Sequence, residues 1–120
     1  MKIVPLGKVA KFLVPSVKIR NRKYSKRGQI VADRIHRFLV RTFGGYNSPQ
    51  SNAYGYFGPK ALTALAAEYD ELREFRVAFI DDDRQTKLRQ LQKFLAKLCA
   101  DIDEECIYLE YSGAATTIRP

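Results

Sequence analysis

Two helical stripes set among short strand-like runs constrain the fold of this chain more than anything else in it. Val31, Ile35, Phe38, Leu39 and Thr42 recur at the spacing of one helix face. Leu88, Leu91, Leu95, Leu98 and Ile102, helped by Phe94, form a second stripe. Val9–Val14 is β-branched and aromatic and is ended by Pro15. Ala53–Phe57 reads as a short strand, with a bulge at Gly55. In Phe75–Ile80 the residues 75, 77 and 79 face one way and 76, 78 and 80 the other. Cys106–Tyr111 is the last strand, and Ser112–Pro120 follows as a tail without clear periodicity. The order is strand, helix, strand, strand, helix, strand. It predicts an α+β, ferredoxin-like βαββαβ sandwich, with a four-stranded antiparallel sheet and two helices on one face. The other sheet face is then open.

With 120 residues the chain suits one domain, 1–120, and 46% hydrophobic residues are enough for a core. No run approaches the roughly 20 apolar residues of a membrane span, and the first residues lack a signal-peptide pattern. A cytoplasmic protein without a membrane partner is expected. Cys99 and Cys106 are too few for a disulfide scaffold and lack zinc spacing, so two reduced, buried thiols are expected.

Local signals place the turns. Ser25 is a candidate cap for the first helix, Gly28 weakens its first turn, and Gly44-Gly45 stops it. Asp82 and Gln85 have capping-box spacing at the start of the second helix. The run Asp81-Asp82-Asp83 suits that helix start better than a cation, so no metal site is assigned. Ala61–Tyr69 reads as a short helical or irregular insertion, and Ser16–Lys26 as an exposed, mobile loop.

Charge is unevenly spread. Met1–Lys60 holds thirteen Lys and Arg against one acid, Asp33, whereas Ala61–Pro120 holds eight against twelve acids. Lys18, Arg20, Arg22, Lys23 and Lys26 lie in the loop. Arg27, Arg34, Arg37 and Arg41 fall on one side of the helix. These nine residues are candidates for polyanion binding, with Tyr24, Tyr46, Tyr54 and Tyr56 as stacking candidates. The leading expectation is non-enzymatic binding of nucleic acid, RNA or DNA unresolved, or of a nucleotide-like polyanion. Phe75–Phe79 lacks the pattern of an RNA-recognition motif, which leaves the helix and loop as the binding elements. A protein-interaction or inhibitory module of plasmid or phage type is the alternative, with a homodimer through the open sheet face. A small metal-independent nuclease or nucleotide hydrolase is the third reading. It would depend on His36, Glu74 or Glu110, and Glu71 is a further carboxylate that could meet a tyrosine or His36 in space. No nucleophile elbow, phosphate loop or histidine pair occurs, and no cofactor is implied.

The chain resembles a family on a short pattern. Phe38 is followed by Phe43-Gly44-Gly45, then Gly55-Tyr56, then Glu74 before a strand, the leucine helix, and Glu105 before the last strand. This is similar to small uncharacterised bacterial and phage proteins of ferredoxin-like fold, over Phe12–Tyr111. The resemblance implies the fold and carries no activity with it. The basic loop, and Tyr46 where that pattern has threonine, depart from it.

Overall fold

The central strand is set by strict alternation. In β1 (Lys8–Pro15) Ala10, Phe12 and Val14 are at most 1% exposed, while Val9, Lys11 and Leu13 point to the other side. A computed structural model describes residues 1–49, 53–55 and 70–120. Its further elements are α1 (Ser16–Ile19), a 3₁₀ turn at Arg22–Tyr24, α2 (Val31–Phe43), β2 (Ala53–Gly55), β3 (Asp70–Phe79), α3 (Thr86–Asp101), β4 (Ile107–Tyr111) and β5 (Ala114–Ile118). Among the described residues the strands form one antiparallel sheet in the order β2-β3-β1-β4-β5. The first four strands have the neighbours and directions of the expected ferredoxin-like sandwich. β5 extends the sheet past β4.

The helices cover one face. α2 buries Val31, Ile35, Leu39 and Phe43, and α3 buries Leu88, Leu91, Leu95, Leu98 and Cys99. Both stripes meet the inward residues of β1, of β3 (Phe75, Val77, Phe79) and of β4 (Ile107, Leu109) in one cluster. Phe12 stacks on Phe75 with ring centres 5.2 Å apart, across the register pair of the two central strands. Phe38 and Phe94 stack at 4.1 Å and join the two helices. Each fully buried Leu or Phe contributes about 1.5–3 kcal/mol, so this double layer holds most of the fold's apolar driving force.

Several local expectations change. The Ser16–Lys26 segment is a short helix and a 3₁₀ turn, with Ile19 buried. Helix α2 begins at Val31 rather than after Ser25, because the chain first makes a tight turn. Lys26 and Gln29 exchange both backbone hydrogen bonds, with Arg27 and Gly28 at φ 53° and 77° between them. That is the mirror-image turn glycine favours. Gly44, at φ 80°, closes the other end of α2. Asp82 caps α3 from farther back than a capping box: its carboxylate accepts from the backbone N–H of Lys87 and Leu88, at 2.9 and 3.2 Å. Gln85 takes the left-handed turn just before the helix. The tail forms β5, hairpinned to β4 through Ser112 and Gly113, both at positive φ. Residues 56–69, which include the expected insertion, lie outside the described residues. Among the described residues no helix is long and apolar enough to cross a membrane.

Gly7 fixes how the N-terminal residues approach β1. Its φ is 93°, and a Cβ there would stand 2.4 Å from the Phe79 carbonyl oxygen. Gly7→Ala should lower stability by about 1–3 kcal/mol, read from chemical denaturation. An unchanged midpoint would mean that this close approach is not a constraint.

Candidate active site

The residues β1 turns away from the core lie on the sheet face that, among the described residues, no helix covers. Lys11 is opposite Arg76 of β3 and Glu110 of β4 in register. Its ammonium lies 3.8 Å from the Glu74 carboxylate and 3.4 Å from that of Glu110. Arg76 Nε donates to Glu74 Oε2 at 2.8 Å, and the Tyr108 hydroxyl donates to Glu110 Oε2 at 2.9 Å. Five side chains from three strands thus form one polar network. Strand alternation puts them there, since each is flanked in sequence by an inward apolar residue. Glu74 is held further by Ser48, whose hydroxyl donates to its backbone carbonyl at 2.5 Å.

The network is electrostatically graded. The Tyr108 hydrogen bond, with Lys11 and Arg76 adding to it, holds the Glu110 carboxyl below its ordinary value of 4.5. The same bond, made to an anion, raises Tyr108 above 10.0 and keeps the phenol protonated. Two carboxylates, two fixed cations and a phenol donor can therefore meet a zwitterionic or cationic small molecule at neutral pH.

Two clefts flank the network and share Val9 and Arg76. One, of about 280 Å³, is lined by Val9, Lys11, Arg76, Glu110, Ser112 and Gly113. The other, of about 490 Å³, runs along the edge of β3 beyond the short β2. Its walls include Leu6, Phe43, Tyr46, Val77 and Ile80, with Gly44 and Gly45 at the rim. The backbone of Asn47 pairs there with Arg76 in both directions, at 2.9 and 2.7 Å, which fixes the turn against the strand. Tyr46 is half-buried, and its hydroxyl is 2.8 Å from His36 Nδ1. His36 is thus a partner of Tyr46, which lines the edge cleft, rather than a member of the network on the open face.

Glu74 and Glu110, named from sequence as candidate catalytic groups, come together here, whereas Glu71 lies at the far end of β3 opposite Tyr54 in register. Lys11, Arg76 and Tyr108 were missed. Charged residues alternating with apolar ones in a central strand were the available signal, and a lysine inside a strand reads as ordinary solvation until the neighbouring strands are known.

The basic residues of the N-terminal half are arranged differently from the expected surface. Lys18 donates to the Ile102 carbonyl at 2.6 Å, pairs with Glu104 at 2.8 Å and lies over the Tyr24 ring at 5.3 Å. It thereby caps the C-terminal end of α3. Arg34 is paired with Asp101 at 2.8 Å and its side chain is only 12% exposed; Lys26 reaches the same carboxylate at 3.6 Å. Arg27 stands in the tight turn, not on α2. Arg20, Arg22 and Lys23 are exposed around α1 and the 3₁₀ turn, and Arg37 and Arg41 are exposed on α2. Tyr24 and Tyr46 are partly buried against the core. Tyr54 is in β2, and Tyr56 lies outside the described residues. Three of the nine candidates, Lys18, Lys26 and Arg34, have thus folded onto the acidic end of α3 and are paired within the molecule.

Cys99 and Cys106 are buried and unbridged, as expected. Burial pushes the Cys99 thiol up to about 11, and Cys106 is raised by the same cause. Neither is a poised nucleophile. Among the described residues no cluster of His, Cys, Asp and Glu could hold a metal ion.

No family model matches the chain. No curated protein matches its sequence. Two solved structures resemble it. The first is a phage S-adenosylmethionine (SAM) lyase in complex with S-methyl-5′-thioadenosine, with a TM-score of 0.54 and 9% identity over 100% of this chain and 95% of that one. The second is a phage SAM lyase in the apo state, at 0.49 and 13% over the same shares. At these identities the likeness is one of fold. It corrects the leading expectation from sequence all the same. The complexed neighbour is an enzyme with a small thioadenosine ligand, so non-enzymatic binding of nucleic acid or a polyanion is set aside, and the pairing of Lys18, Lys26 and Arg34 within the molecule takes three of the nine residues from the expected surface. The inhibitory module and the nuclease or nucleotide hydrolase go with it.

Replacing Lys18 by methionine should cost about 1–2 kcal/mol, because the Ile102 carbonyl and Glu104 lose their cation together; a denaturation midpoint equal to the native chain's would contradict this role. Glu110 should titrate below 4.5 by carboxyl NMR. A lowered folded-state value adds stability above the unfolded value, lost as pH falls through the folded one. Tyr108→Phe should move the Glu110 midpoint back upward, and a midpoint that stays in place would remove the hydrogen bond as the cause.

Proposed function

We propose that this protein is a lyase for a sulfonium nucleoside of the SAM type, acting on the open sheet face. The observation that carries the reading is the Lys11–Glu74–Arg76–Glu110–Tyr108 network beside an apolar cleft, on a fold shared along the whole chain with a SAM lyase. The ligand's chemistry divides as the surface does. A nucleoside base is flat and largely apolar, and suits the cleft walled by Phe43, Tyr46 and Val77. The sulfonium and ammonium are cations and suit Glu74 and Glu110. The α-carboxylate is an anion and suits Arg76 and Lys11.

A lyase breaks the carbon–sulfur bond without water. The bonding pair stays on sulfur, the positive charge disappears, and a neutral thioether leaves. As that bond breaks, either the substrate's own carboxylate displaces the thioether at the γ carbon and closes a lactone, or a base takes the β proton and the C–H pair becomes the new double bond; Glu74 is the placed base. Since the cation vanishes along the reaction, a bare carboxylate beside sulfur would hold the substrate more tightly than the transition state. Lys11 and Arg76 temper Glu74 in this respect.

Incubation with SAM, followed by chromatography and proton NMR, should yield S-methyl-5′-thioadenosine and a four-carbon product; the lactone of ring closure and the alkene of proton loss are isomers of equal mass, and the vinyl proton signals separate them. Glu74→Gln should reduce kcat/KM by about 100-fold with the fold retained by circular dichroism. No turnover, together with no calorimetric binding of S-methyl-5′-thioadenosine, would overturn the reading.

A further inference from the structure

Tyr46 walls the edge cleft, yet the backbone before it does little to set where its ring stands. It follows Gly44 and Gly45, the residue type with the widest conformational freedom. The ring is held from other directions. Gly44 ends α2 at φ 80°, and the chain turns back so that Tyr46 meets His36, ten residues earlier and about two helical turns before Phe43. The Tyr46 hydroxyl lies 2.8 Å from His36 Nδ1, and the two rings meet edge to face with centres 5.5 Å apart. The Tyr46 ring also packs on Phe75, at 6.0 Å. Asn47, the next residue, is bonded to Arg76 through both its backbone groups. One end of the Tyr46 side chain is thus pinned at β3 and the other at α2.

We infer that His36 is a positioning residue: it holds Tyr46 as a fixed aromatic wall for the nucleoside base. The inference rests on the lyase reading and deepens it at the apolar cleft. In a neutral imidazole one ring nitrogen accepts and the other carries the proton. Here Nδ1 takes the hydrogen bond of the phenol, which leaves the proton on Nε2. A ring already fixed before the ligand arrives gives up no further freedom on binding, so the pair strengthens the hold on a flat base.

The effect is confined to binding. Asn47 pairs with Arg76, and Ser48 donates to the Glu74 carbonyl, without help from His36. Glu74 likewise keeps Lys11 and Arg76 as its cations. Loss of His36 should therefore raise KM and leave kcat near its native value. His36 is exposed, so replacing it removes no core packing.

Two substitutions at one position test it. His36→Phe keeps a ring beside Tyr46 and removes the acceptor, whereas His36→Asn puts an oxygen where Nδ1 stood. With SAM as substrate, His36→Phe should raise KM about five-fold, with kcat within about two-fold of native. Calorimetry should show S-methyl-5′-thioadenosine binding weakened by the same factor, and His36→Asn should restore both. Tyr46→Phe should weaken binding as His36→Phe does, and the double variant no further, because the same bond is lost in each. The chain has one histidine, so nitrogen NMR reads its tautomer directly, and the proton is expected on Nε2 when the ring is neutral. An unchanged KM and unchanged binding in His36→Phe overturns the inference. So does a fall in kcat at constant KM, a failure of His36→Asn to rescue, or a neutral ring protonated on Nδ1. If the native protein cleaves SAM while His36→Phe behaves as native, the lyase reading stands and His36 has no part in it. If the native protein neither cleaves SAM nor binds S-methyl-5′-thioadenosine, both fall.

Discussion

The parity of β1 is the constraint on which the rest of the structure depends. Among the described residues it is the middle strand of the five, paired to β3 through eight residues and to β4 through three. Ala10, Phe12 and Val14 enter the core, and Phe12 stacks on Phe75. The residues between them are thereby forced outward. A register slip of one residue would bury Lys11 and expose Phe12. The same alternation that seats the two helices thus delivers Lys11 to Glu74 and Glu110.

The charge asymmetry has a second use in the folded molecule. As a sequence, a half with thirteen bases and one acid looks like a surface for polyanions. In the structure, part of it is the counterpart of the acidic end of α3. Lys18, Lys26 and Arg34 converge on Asp101, Glu104 and the terminal carbonyls of that helix. Partly buried pairs of this kind tie α1, the turn before α2 and the end of α3 together. Charge that is neutralised internally contributes less to an outward field. The open face, by contrast, carries both signs close together, an arrangement suited to a small ligand with separated charges of its own.

The fold was legible in the sequence wherever the signal is local and periodic. The stripes at Val31–Leu39 and Leu88–Leu98 marked both helices, and the alternation at Phe75–Phe79 marked the core-facing side of β3. Glycines after Phe43 marked the helix stop. Ends governed by backbone turns were less legible. Ser25 looked like a cap, but Arg27 and Gly28 made a tight turn that delayed α2 to Val31. Ala114–Ile118 has no apolar alternation because only Ile118 packs against the core and the other four residues are exposed, so its strand character depends on pairing with β4. Of the site, Glu74 and Glu110 were visible as isolated carboxylates, while Lys11, Arg76 and Tyr108 carried no pattern of their own.

What the sequence determined by itself was the order of elements, the apolar face of each, and hence the layered sandwich, because hydrophobic periodicity is a property of neighbours in the chain. What only the tertiary structure decided was which charges meet. Glu74 and Glu110 stand thirty-six residues apart in sequence, and Lys11 reaches both because strand order places β1 between β3 and β4. Salt bridges and hydrogen bonds act over a few ångströms, so their partners are set by the fold's topology and register, which no local run of residues encodes.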